Sequence, residues 1–115
     1  MDQFEGTMNS WLILILAGLC EVVWALGLKF SNGLTHVRSS TITIIFMIVS
    51  IYLLAIAARH IPIGISYSIW VGIGAVGAFL GGIFLFQEKV NLAQISFFML
   101  ILVGVVGLKV CSTES

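Results

Sequence analysis

Apolar residues run almost unbroken along this chain and fall into four segments, at about 11–30, 40–58, 63–86 and 92–110. Each is close to the ~20 residues an α-helix needs to cross a ~30 Å hydrocarbon core. Polar breaks between them are short. Ser31-Asn32-Gly33 stops the first segment. Arg59-His60-Ile61-Pro62, with the only proline, separates the second from the third, and Gln87-Glu88-Lys89 forms the third turn. Backbone N–H and C=O groups in hydrocarbon must pair within their own segment, which predicts helices and not open strands. The expected fold is therefore an all-α integral membrane protein: one domain over residues 1–115 with four transmembrane helices. Residues 1–9 read as a flexible N-terminal extension.

The flank of the first segment carries Asp2 and Glu5 and no lysine or arginine. With the length of that segment, this argues against a cleaved signal. Met8 reads as an alternative start, which would make residues 1–7 an added stretch.

Composition strengthens the membrane reading. The chain is 60% hydrophobic and 9% charged, whereas a water-soluble domain has about 25% charged residues. Formal net charge is zero, so no basic footprint for nucleic acid exists. Basic residues are split nearly evenly. With the N-terminus in the cytoplasm, Arg59 and Lys109 lie on that side and Lys29, Arg38 and Lys89 on the other. The positive-inside rule then gives almost no preference. Two readings stay open: a weakly biased chain oriented by a partner or lipid, or dual topology with copies inserted both ways. Cys20 and Cys111 behave as small hydrophobes. His36 and His60 have no ligand spacing, so no metal and no cofactor is expected.

Glu21 changes the picture. It follows Trp11 by ten residues, ~15 Å along a helix and near the bilayer midplane. An acid at that depth is costly, and it marks a pathway or binding site by default. Gly18, Glu21, Trp24, Ala25 and Leu28 share one helical face. The small residues Gly18 and Ala25 leave space beside the carboxylate, and Trp24 offers an N–H and an aromatic face. A proton and a cation competing for one carboxylate suffice for exchange transport.

Ser50 lies near the middle of the second segment and reaches a similar depth. Its hydroxyl can either hold Glu21 or bond its own backbone four residues earlier. Tyr67 and Trp70, one turn apart in the third, can face a cation or form an interfacial belt. Lys29 and Lys109, at span ends, are expected to snorkel to the headgroups. Half of the twelve glycines fall between Gly64 and Gly82. Gly72 and Gly74 are candidates for a hinge. Gly74, Ala78 and Gly82, and separately Gly77 and Gly81, form small-residue stripes. Gly104 and Gly107 offer a dimer-packing face. Four helices leave little room for a solute path within one chain, so a transporter this small is expected to be at least a dimer.

Several runs resemble a known family. Pro62-Ile63-Gly64-Ile65-Ser66-Tyr67-Ser68-Ile69-Trp70, entering the third helix, resembles the small multidrug resistance (SMR) transporters. Glu21-Val22-Val23-Trp24-Ala25-Leu26-Gly27-Leu28-Lys29, Gly72-Ile73-Gly74-Ala75-Val76-Gly77-Ala78 and Gly107-Leu108-Lys109 are similar to its guanidinium exporter subtype. The likeness covers about residues 10–112. Three places depart from the usual pattern: Val71 where a hydroxyl residue is common, Ser66 and Ser68 around Tyr67, and Ser39-Ser40 where a proline often opens the second helix.

The resemblance implies an antiparallel, dual-topology homodimer in the bacterial cell inner membrane, with a paired heterodimer as its variant. It implies proton-coupled antiport that exports guanidinium, with Glu21 binding substrate and protons in turn. Trp24 and Ser50 would hold the carboxylates, and Tyr67 and Trp70 would line the site. Two alternatives stand beside it: a proton-coupled multidrug exporter of quaternary ammonium or hydrophobic cations, and a membrane assembly subunit that transports nothing. No nucleophile–base pair points to an enzyme.

Overall fold

A computed structural model describes residues 2–111, with side chains from residue 9 onward. It contains four helices: α1 (Asp2–Phe30), α2 (Val37–Ala57), α3 (Ile63–Phe86) and α4 (Leu92–Cys111). Each holds a stretch long and apolar enough to cross a membrane. The backbone of the N-terminal extension continues α1 as helix from Asp2, and α2 starts three residues before the expected boundary.

Each break has a local cause. The Ser31 hydroxyl donates to Leu28 O and accepts from the Leu34 N–H, at 3.1 and 3.0 Å. Asn32, Gly33 and Leu34 then take positive φ, and the Gly33 N–H reaches back to Leu28 O. These bonds satisfy the last carbonyls of α1, as a left-handed cap does. At the end of α3, Gln87 adopts φ 58° and the Glu88 N–H bonds to Gly82 O. Asn91 and Gln94 form a reciprocal box at the start of α4. The Gln94 N–H donates to Asn91 Oδ1 and the Asn91 N–H to Gln94 Oε1, at 2.8 and 3.0 Å. That box supplies two otherwise unpaired helix-start donors with acceptors.

The helices form a plate with extents of 46 × 36 × 18 Å. α1 packs on both α2 and α3, and α4 packs on α3 alone. The α1–α3 contact is made through glycine. A Cβ on Gly18 would meet Ile73, on Gly74 the Glu21 carboxyl, on Gly77 Val22, and on Gly81 Leu26. Numbers rise together on both helices, so α1 and α3 run parallel in a register of four-residue steps. The stripes on the third segment thus serve packing within the chain. The buried core, which includes Leu14, Ala17, Leu54, Ala57, Ile61, Ile69 and Trp70, gathers around the α2–α3 turn. Among the described residues of α4 none is buried.

At the opposite end Lys29 pairs with Glu88 and lies 5.1 Å from the centre of the Phe86 ring, which also forms a tilted pair with Phe30 at 4.8 Å. Lys109 sits 4.5 Å over Trp11. Both lysines therefore have partners within the protein as well as a place near the headgroups.

A Gly77→Leu substitution forces α1 and α3 apart at Val22. Overpacking of this kind lowers stability by about 1–3 kcal/mol. Gly64, with nothing near its virtual Cβ, tolerates alanine, and Gly64→Ala is expected to be neutral or stabilising by up to about 1 kcal/mol. Thermal unfolding of both variants in detergent, followed by circular dichroism, checks the contrast.

Candidate functional site

The site is built on the α1–α3 contact. Because Gly74 has no side chain, the Glu21 carboxyl lies directly against the α3 backbone. Gly18, one turn earlier, is buried under Ile73 by the same device. Oε1 of Glu21 is buried and accepts no hydrogen bond from any described residue; Nε1 of Trp24 is buried and donates none. A buried acceptor and a buried donor thus stand one turn apart on α1, each unpaired. Leaving such a group unsatisfied costs about 1–3 kcal/mol, and more when it is charged. Native proteins seldom tolerate this without a further partner.

Ser50 has a different task. Its hydroxyl donates to Ala17 O at 2.7 Å and accepts from Trp70 Nε1 at 2.9 Å. Its single proton is therefore committed to α1 backbone and not to Glu21. In an α-helix the carbonyl of residue 17 is also the acceptor for the N–H of residue 21, so the bond ties α2 and α3 to the turn that carries Glu21. Several hydroxyls elsewhere take the local route. Thr41, Thr43, Ser68 and Ser96 each bond the carbonyl four residues earlier, at 2.7–2.9 Å.

Trp70 is buried, whereas Tyr67 is half exposed. Their ring centroids are 5.4 Å apart with planes tilted by 47°, an aromatic pair with one open face. Tyr67 lines a crevice of about 580 Å³ between α3 and α4, beside Val71, Gly72 and Gly104. Gly72 lies under Val105. Ala25 is half-buried on α1. Gly104 and Gly107 have nothing within 4 Å of a virtual Cβ, so that side of α4 can receive another surface at close range.

The sites expected from sequence therefore form two adjoining groups. Glu21, Gly18 and Gly74 make one; Ser50, Trp70 and Tyr67 make the other, joined through Ala17 O. Ala17 was not singled out from the sequence. Its part is played by a backbone carbonyl, which no side-chain pattern reveals.

This arrangement is set among four helices long and apolar enough to cross a membrane. The chain is a member of the Small Multidrug Resistance protein family, whose model matches residues 9–101. It is a multi-pass membrane protein of a transporter family and not an enzyme. It is 48% identical over 103 residues to the guanidinium exporter of Yersinia pseudotuberculosis serotype I (strain IP32953), covering 90% of this chain and 99% of that one. It is 49% identical over 100 residues to the guanidinium exporter of Escherichia coli (strain K12), covering 87% and 95%. With that of Salmonella thompson the identity is 50% over 100 residues, with the same coverage.

Ser50→Ala strands the Trp70 N–H in a buried position. The expected loss is about 1–3 kcal/mol of stability, with a shift in tryptophan emission. Thr41→Val, at an exposed hydroxyl bonded to its own helix, serves as the comparison and should stay within about 0.5 kcal/mol. Denaturation in detergent read by intrinsic fluorescence measures both.

Proposed function

We propose that this protein exports guanidinium ion across the bacterial inner membrane in exchange for protons. The functional unit is an antiparallel dimer of two copies inserted in opposite directions. The observation that carries the reading is the unpaired Glu21 carboxyl oxygen buried against Gly74. Guanidinium is planar and carries N–H donors that match a carboxylate fork to fork, and such charge-assisted bonds are short and strong. Similarity to guanidinium exporters along nearly their whole length supports the same substrate.

The cycle follows from charge. In apolar surroundings a lone carboxylate is costly, so Glu21 is held neutral by a proton or compensated by a cation. Guanidinium arriving at the carboxylate releases the proton, and protons arriving from the other side release guanidinium. The Trp24 indole N–H is suited to donate to a carboxylate of the second copy. Tyr67 and Trp70 offer π-faces to the cation, an attraction of about 0.5–2 kcal/mol. Gly72 and Gly74 let α3 bend so that the site opens to one side at a time.

Dimerisation is supported by the plate itself: 18 Å thick, it has no interior through which one chain could pass a solute. No described residue of α4 is itself buried, and Gly104 and Gly107 stand open for a second copy. The near-balanced Lys and Arg suit insertion both ways.

Tetramethylammonium has no N–H to give Glu21. A hydrogen bond to a charged group contributes about 1.5–3 kcal/mol, which is roughly one to two orders of magnitude in affinity. In proteoliposomes of the purified chain on a solid-supported membrane, guanidinium currents should exceed those of tetramethylammonium at least about tenfold at equal concentration. Glu21→Gln should abolish both the current and the coupled proton movement. Quaternary ammonium currents equal to guanidinium currents would overturn the substrate reading. Transport surviving Glu21→Gln would overturn the mechanism.

A further inference from the structure

The seam between α3 and α4 holds two crevices. One is the space beside Tyr67, lined without any charged residue. The other lies at the opposite end, about 490 Å³ in volume, and has a polarity gradient. Its mouth carries Glu88, Lys89 and Gln94; its walls are Phe79, Phe98, Ile101 and Ala75. Phe79 and Phe98 stack with centroids 4.2 Å apart and planes 15° from parallel, which gives the crevice a flat apolar wall.

Depth and charge both limit what fits. Ala75 precedes the end of α3 by eleven residues and Ile101 follows the start of α4 by nine, which places the deep end ~15 Å below the mouth. That is half of a ~30 Å hydrocarbon core, the depth of one leaflet. At the mouth the Glu88 carboxylate is already taken by Lys29. Lys89 is exposed and has no ion-pair partner among the described residues. Gln94 keeps its amide NH2 as a donor, because its Oε1 accepts the Asn91 N–H. The mouth therefore presents one uncompensated positive charge and a spare donor above an apolar slot one leaflet deep.

A second copy approaching through Gly104 and Gly107 leaves this slot open. At 100° per residue, Gln94, Phe98, Ile101 and Val105 lie within a ~60° arc, and the two glycines lie ~90–150° away from its centre.

We propose that this crevice is a binding site for one anionic phospholipid. Its headgroup phosphate sits on Lys89 and the Gln94 amide, and an acyl chain runs along Phe79 and Phe98 to Ala75. Basic residues between spanning helices recognise anionic headgroups in this way. The site is separate from Glu21 and does not depend on which cation the protein exports.

Native mass spectrometry of the full chain tests it, with phosphatidylglycerol or phosphatidylcholine of identical acyl chains added at equal concentration. The expected result is at least about fivefold more retained phosphatidylglycerol. Lys89→Gln should bring that preference to about one, and Arg59→Gln, in the α2–α3 turn, should leave it intact. Ala75→Leu, which fills the deep end and keeps the charge, should cut phosphatidylglycerol retention several-fold. Equal retention of the two lipids, a preference that survives Lys89→Gln, or one removed equally by Arg59→Gln overturns the site. Should Lys89→Gln fail to fold, Ala75→Leu decides alone: unchanged phosphatidylglycerol retention overturns it.

Discussion

The closeness of α1 to α3 governs the rest of the molecule. It depends on residues that lack a side chain. Gly18, Gly74, Gly77 and Gly81 let Ile73, Glu21, Val22 and Leu26 press onto bare backbone. In a hydrocarbon solvent there is little hydrophobic drive to bring helices together, so close van der Waals approach has to do it. The same approach buries one oxygen of Glu21 and leaves it without a hydrogen bond. Packing and chemistry are thus one feature, since the contact that assembles the chain also leaves a buried carboxyl oxygen unpaired.

Around this contact the polar groups divide the work. Ser50 fastens three helices by joining Trp70 Nε1 to Ala17 O. Its bonds are met within the chain. Glu21 Oε1 and Trp24 Nε1 are not met. A satisfied network gives rigidity, whereas the pair one turn away stays unsatisfied within the chain. Lys29 and Glu88 close the far end of the same two helices, where the core residues near Leu14 and Ile61 do not reach.

Much of this was legible in the sequence. The four spans follow from hydropathy alone, and Ser31-Asn32-Gly33 marked the end of α1 because those residues suit a left-handed cap. Pro62 marked the entry to α3 to the residue. The place of Glu21 near the middle of its span came from counting turns. What could not be read was direction around each helix axis. Counting placed Ser50 near the midplane but did not say that it faces Ala17 O. It identified small-residue stripes on the third segment without saying that α1, in the same chain, fills them. The Lys29–Glu88 pair joins residues 59 positions apart, a separation that no local pattern encodes. The Asn91-x-x-Gln94 box was readable in principle, as reciprocal side chains three residues apart, and it explains why α4 starts at Leu92.

The last helix has a consequence of its own. α4 leans on α3 and encloses none of its own side chains. Its outward residues, away from Phe98, Val105 and Leu108, are therefore nearly exempt from the demands of internal assembly. Selection can rewrite their outward face to change bilayer preference or choice of companion, and the acid in α1 need not be retuned each time. Diversification in descendants of such a chain is cheapest at its carboxyl end.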